Sequence, residues 1–197
     1  MFTSPKNALL FIAACVLSTG AMAHTGHDTT SLLEGLMHPF GPDHLLAMLA
    51  VGLWSVRALP RRMVWQGPAT FLLALVLSAV VGANGLTVPF LEHAIALSVS
   101  LFGLMLIVAA KPMPQSMGLG VIAIAASLHG LAHGAETPDT GFVGYASGFL
   151  LTTAALHLGG VGVGLGIRRW LDARSAPVLA TLGSSLGFAG IYLFSQI

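Results

Sequence analysis

The chain alternates long apolar runs with short polar breaks. Beyond residue 30, six runs are long enough to cross a bilayer, which takes about 20 residues: about 33–56, 65–83, 88–109, 113–134, 140–166 and 176–196. Turn-forming residues separate them: Pro60, Asn84-Gly85, Lys111-Pro112-Met113-Pro114, Thr137-Pro138-Asp139 and Ser175-Ala176-Pro177. No soluble domain fits between these runs. The pattern predicts an all-α fold: a polytopic membrane helix bundle of six transmembrane helices, forming one domain over residues 24–197. Residues 1–23 read as a cleaved signal peptide, with Lys6 as the positive flank, Ala8 to Leu17 as the apolar stretch and Ala21-Met22-Ala23 as the cleavage site. Ile12-Ala13-Ala14-Cys15 also looks like a lipobox, but the apolar run before that Cys is short. Failure to cleave would leave an extra helix.

Composition supports a membrane protein. Charged residues make up 8% of the chain, against about 25% in soluble domains, which excludes both a soluble globular fold and a disordered chain. Two Tyr and three Trp are too few for the aromatic girdles of an outer-membrane barrel. A net charge of +1 carries no polyanion signal, so nucleic acid is not an expected partner. The single Cys can form no internal disulfide and supports no thiolate metal site. Gly144-x-x-x-Gly148, Gly160-x-x-x-Gly164 and Gly183-x-x-x-Gly187 are small-residue faces that let helices approach closely, within one chain or in a homo-oligomer.

Charge also sets topology. After residue 23, every Lys and Arg falls in the first, third or fifth loop: Arg57, Arg61 and Arg62, then Lys111, then Arg168, Arg169 and Arg174. The positive-inside rule makes those loops cytoplasmic. Six spans then put both mature termini in the periplasm, as a cleaved signal peptide requires. The expected location is the bacterial inner membrane.

The eight His outnumber the seven acids, and most of the polar residues fall at the outer ends of the spans. Charged groups inside a bilayer cost about 2.5–3.5 kcal/mol each at a helix centre, so several on one side imply a shared hydrated or metal-filled cavity. The strongest local signal is His38-Pro39-Phe40-Gly41-Pro42-Asp43-His44. Pro42 cannot donate to the carbonyl of His38, and Gly41 loosens the same turn, so the helix should break here. The break can gather two imidazoles and a carboxylate, a set suited to Ni, Co, Zn, Cu or Fe(II) rather than Mg or Ca. The plainer alternative is a proline-kinked helix whose polar residues are hydrogen-bonded. His129 and His133 lie four apart, on one helix face, and Glu136 extends the stripe; interfacial hydrogen bonding is their alternative. Glu92 and His93 are adjacent, so at most one faces a common site. His157 is either a deep ligand or a helix-bridging structural residue. Met48, one turn beyond His44, is either core or a soft ligand.

The run HPFGPDHLLAMLAVGLW, His38 to Trp54, resembles the signature of the HupE/UreJ family, membrane accessory proteins of nickel hydrogenase and urease systems that are regarded as nickel permeases. The resemblance spans nearly the whole mature chain. It includes Leu91-Glu92 with Ala96-Leu97-Ser98-Val99, His129-Gly130-x-Ala132-His133-Gly134-x-Glu136, and His157 with its glycines. His38, four residues, then Asp43-His44 is also similar to the HX4DH motif of wider nickel/cobalt transporters. The resemblance implies metal roles for His38, Asp43 and His44, and supporting roles for Glu92, His129, His133 and Glu136. His93, His24 and His27 are not clearly part of that pattern. It also implies Ni(II) as the transported ion, with Co(II) and Zn(II) not separated by ligand type, and nickel-enzyme maturation proteins as partners.

Three function classes therefore remain. The first is a permease carrying metal from periplasm to cytoplasm; no GxxxxGK[ST] motif is present to couple it to nucleotide. The second is an intramembrane zinc hydrolase, with three His on the metal and a carboxylate activating water. The third is a non-transporting metal sensor or delivery protein. Cleavage after Ala23 would expose His24-Thr25-Gly26-His27-Asp28, a modest metal collector near the outer mouth or a solvated leader without a role.

Overall fold

Lipid offers no hydrogen-bond partners, so a spanning backbone must satisfy its own polar groups, and helices do this within one segment. The computed structural model describes residues 31–109, 114–136 and 142–197, and all regular structure among them is helical. Helix α1 is Ser31–Met37, α2 Pro42–Ala58, α3 Gln66–Ala83, α4 Leu91–Val108, α5 Gln115–Ala135, α6 Phe142–Leu171 and α7 Ser175–Phe194. Short 3-10 turns occupy His38–Phe40, Arg61–Met63 and Asp172–Arg174. The expected signal segment, and His24 and His27, lie outside the described residues.

Among the described residues, four helical segments are long and apolar enough to cross a membrane: Arg61–Ala83, Leu91–Val108, Gln115–Ala135 and Phe142–Phe194, the last of which holds α6 and α7. The chain is a multi-pass membrane protein. Large apolar side chains such as Leu73, Leu77, Val80, Ile124, Leu151, Leu158 and Phe188 face outward, the surface lipid requires and water would not tolerate.

The first apolar run is not one helix. It is divided into α1 and α2 at Gly41, whose extended conformation (φ −50°, ψ 138°) ends the 3-10 turn and lets Pro42 open α2. Proline suits a first helical position because its missing N–H would have had no partner there. The fifth run extends past residue 166, so Arg168 and Arg169 lie on the last turn of α6 rather than in a loop. Cations there complement the negative helix end. Arg168 Nη1 also donates to the Val56 carbonyl at 2.9 Å, satisfying one of the orphan acceptors in the last turn of α2.

Helix α2 is the centre of the bundle: from Leu46 to Val56 every residue except Leu49 is buried. It packs on α6, with α4 and α3 on its other sides, while α3 pairs with α5, α4 with α7 and α1 with α6. Small residues make these approaches possible. A Cβ on Gly52 would strike the backbone of His157 and Gly160; one on Gly160 would strike Leu49, and one on Gly183 the Gly103 carbonyl. Among the glycines in the sequence motifs, Gly148, Gly160, Gly164 and Gly183 lie at such contacts, whereas Gly187 faces open space. Most hydroxyls donate to a carbonyl of their own helix, as Ser55 does to Val51 and Ser127 to Ala123. Thr152 to Leu36 and Ser100 to Gly187 instead bridge two helices.

Candidate metal centre

The break at Gly41 interrupts the helix so that His38, on the 3-10 turn, and His44, in the first turn of α2, lie on the same side of the bundle. Their rings meet edge to face with centroids 5.5 Å apart. His133, near the C-terminal end of α5, completes the group: its ring centroid lies 4.7 Å from that of His38 and 4.5 Å from that of His44. One ligand nitrogen from each of these three imidazoles falls within 4.8 Å of the other two. His44 and His133 are buried and His38 is half-buried.

His44 Nε2 and His133 Nε2 are 2.7 Å apart. Two nitrogens this close must share a proton, because two lone pairs would repel. A divalent ion bound to both at about 2.0–2.1 Å would set them roughly 3 Å apart, so exchanging that proton for a cation needs only a small opening. Metal binding would then release the proton. Asp43 Oδ1 approaches His44 Nδ1 at 2.8 Å, an ion-pair contact rather than an aligned hydrogen bond. A carboxylate behind an imidazole raises its basicity and orients its ring toward a metal. Asp43 also sits in the first turn of α2, where the helix dipole favours an anion.

Aromatic residues of α6 wall this group. Phe149 lies 4.4 Å from the His133 ring and 5.8 Å from His38, with Tyr145 stacked beyond it. One turn along α5 from His133, His129 is fully buried, and its ring lies 5.1 Å from that of His44. Ser98 Oγ donates to the Ile95 carbonyl at 2.7 Å, which uses its only hydrogen. The 3.0 Å contact between Ser98 Oγ and His129 Nε2 must therefore be donated by the imidazole. His157, in the middle of α6, is also fully buried and donates from Nδ1 to the Thr153 carbonyl at 2.8 Å. In both rings the other nitrogen, His129 Nδ1 and His157 Nε2, is buried without a hydrogen-bond partner. Such an acceptor costs about 1–3 kcal/mol in a protein interior.

The remaining sequence candidates lie apart from the cluster. Glu92, in the first turn of α4, and Glu136, just past α5, are exposed but within electrostatic range of His44. His93 packs between Phe90 and Phe194, with centroids at 5.9 and 5.0 Å. Met48 is fully buried. Sequence reasoning gave no role to Ser98, Phe71, Thr153 or Phe149. Hydroxyls in apolar spans, Ser98 beside Ser100 and Thr153 after Thr152, could have flagged these two residues; nothing distinguished the two phenylalanines from core.

The fold and this group of side chains define a multi-pass helical membrane protein with a cluster of imidazoles suited to a transition-metal ion. The chain belongs to the HupE/UreJ family, whose model, described as HupE / UreJ protein, matches residues 12–193. It is 37% identical over 185 residues to Protein HupE of Rhizobium leguminosarum bv. viciae, covering 92% of this chain and 94% of that relative. No solved structure gives a significant match.

Proposed function

We propose that this protein is a permease of the bacterial inner membrane that carries Ni(II) from periplasm to cytoplasm, for the maturation of nickel enzymes. The observation that carries the reading is the convergence of His38, His44 and His133, backed by Asp43, at one end of an apolar bundle. Neutral imidazoles with a carboxylate bind borderline divalent ions through exchangeable bonds, which a transport site requires. Nickel is preferred over cobalt and zinc because of the family resemblance, not because of the ligand types. Asp43 is the charged anchor, His38, His44 and His133 are the ligands, and Glu92 and Glu136 draw cations toward the entrance.

In this reading residues 1–23 are removed, residues 24–197 are one domain of six spans, and α1 with α2 forms the first span with the site at its break. The Arg-rich end is cytoplasmic and both mature termini are periplasmic, with His24 and His27 collecting metal outside. A broken helix whose loosened turn lines an ion site is a common transporter device. The test is flux: purified protein in liposomes, with external Ni(II) and an internal nickel indicator. Saturable influx that is lost in His38→Ala is expected. A folded protein that moves no Ni(II), Co(II) or Zn(II), or that cleaves lipid or peptide when zinc-loaded, would overturn the proposal in favour of a sensor or a hydrolase.

A further inference from the structure

The mechanism above uses the outer three imidazoles and leaves two buried nitrogens unexplained. His129 Nδ1 and His157 Nε2 are both without a hydrogen-bond partner, and both side chains are fully buried. Their tautomers follow from their other contacts. The Ser98 hydrogen is committed to Ile95, so His129 carries its proton on Nε2; the Thr153 carbonyl can only accept, so His157 carries its proton on Nδ1. Each unpartnered nitrogen therefore holds a lone pair, which is the form in which imidazole binds a metal.

Both rings pack against Phe71 of α3, whose centroid lies 5.6 Å from that of His129 and 4.7 Å from that of His157. The Thr153 hydroxyl, also buried and unpartnered, lies one turn before His157 on α6. Exposure falls from 8% at His44 and 5% at His133 to zero at His129 and His157. His157 is eight residues along α6 from Phe149, which walls the outer cluster, or about 12 Å deeper at helical rise. The rings make a continuous series: His38, His133 and His44 together, then His129 5.1 Å from His44, then Phe71, then His157. An aromatic ring attracts a cation without binding it covalently, so Phe71 can flank a passing ion without holding it.

We propose that His129 and His157 are two successive inner ligands for a divalent first-row transition-metal cation, which passes from the outer cluster to His129 and then, alongside Phe71, to His157. The proposal deepens the permease reading and rests on it. Ligands in series let an ion leave one as it gains the next, so that no stage requires a bare cation in the bundle core.

The test uses the full-length protein in nanodiscs with Co(II) as the probe, because its visible absorption reports each ligand set and equilibrium dialysis counts bound ions. His157→Asn keeps a donor near the Nδ1 position for Thr153 and removes Nε2. His129→Gln keeps a donor near the Nε2 position for Ser98 and removes Nδ1. Both retain the structural hydrogen bond, so a purely structural role predicts unchanged uptake. The substitutions lie on different helices, so a folding defect in one leaves the other informative. Each variant is expected to keep the wild-type Co(II) count and outer-site spectrum while its Co(II) uptake into liposomes falls at least tenfold. Uptake within twofold of wild type in a folded variant, or loss of the outer-site spectrum in both, would overturn the inner ligands. His38→Ala separately tests the outer cluster: an unchanged Co(II) count and spectrum there would sink the permease site while leaving the inner ligands to be judged by their own variants.

Discussion

Asp43→Asn isolates the charge behind the outer cluster, because asparagine keeps the shape of the side chain. In the wild type, Asp43 Oδ1 lies 2.8 Å from His44 Nδ1. Crossing the imidazole and one metal bond places the carboxylate about 7 Å from an ion on Nε2, and a unit negative charge at that distance from a divalent cation contributes about 5 kcal/mol at an effective dielectric of about 20. The Asp43 side chain is 25% exposed, so water screens part of this and the figure is a ceiling. Loss of a partner behind a ligating His typically lowers metal affinity about 10–100-fold, equivalent to about 1.4–2.7 kcal/mol, comfortably below the ceiling. Ni(II) binding to the purified variant should therefore weaken by one to two orders of magnitude, measured by equilibrium dialysis. Uptake at limiting metal should fall in parallel while membrane insertion and protein level stay normal. Affinity within twofold of wild type would refute the assignment of Asp43 as the charged anchor.

Two further outcomes follow from the same geometry. Imidazole binds metal only when a nitrogen is unprotonated, so with an ordinary His pKa of about 6.5 uptake should decline as external pH falls from about 7.5 toward 5.5; a flat profile, with this protein rate-limiting, would argue against imidazole ligation. Gly52→Ala should destabilise the protein by about 1–3 kcal/mol, as overpacking does, because its Cβ meets the backbone of α6 at His157 and Gly160. Gly187→Ala, which meets open space, should unfold at or above the wild-type temperature in detergent, and equal melting of both variants would refute the close α2–α6 contact.

Helix and membrane class were legible in the sequence because lipid imposes a one-dimensional rule: a spanning segment must be long, apolar and helical, whatever it packs against. The break at Gly41-Pro42 was legible for a similarly local reason, since Pro42 removes a donor and its ring obstructs the preceding turn. The pairing of His129 and His133 on one face follows from the helical period alone. Sequence could not decide which of those two joins His38 and His44. That depends on how deep α5 sits against α2, a depth set by glycine contacts such as those of Gly130 and Gly134 with α3 and by packing across the bundle. The tertiary structure puts His133 in the outer cluster and His129 one turn below, on Ser98. It likewise leaves Glu92, Glu136 and His93 outside the cluster. Phe71 and His157 meet only because α3 and α6, far apart in the chain, pack side by side. Local rules act along the backbone and can be read from residue order, whereas a site shared by four helices depends on the register between surfaces that no short run of sequence contains.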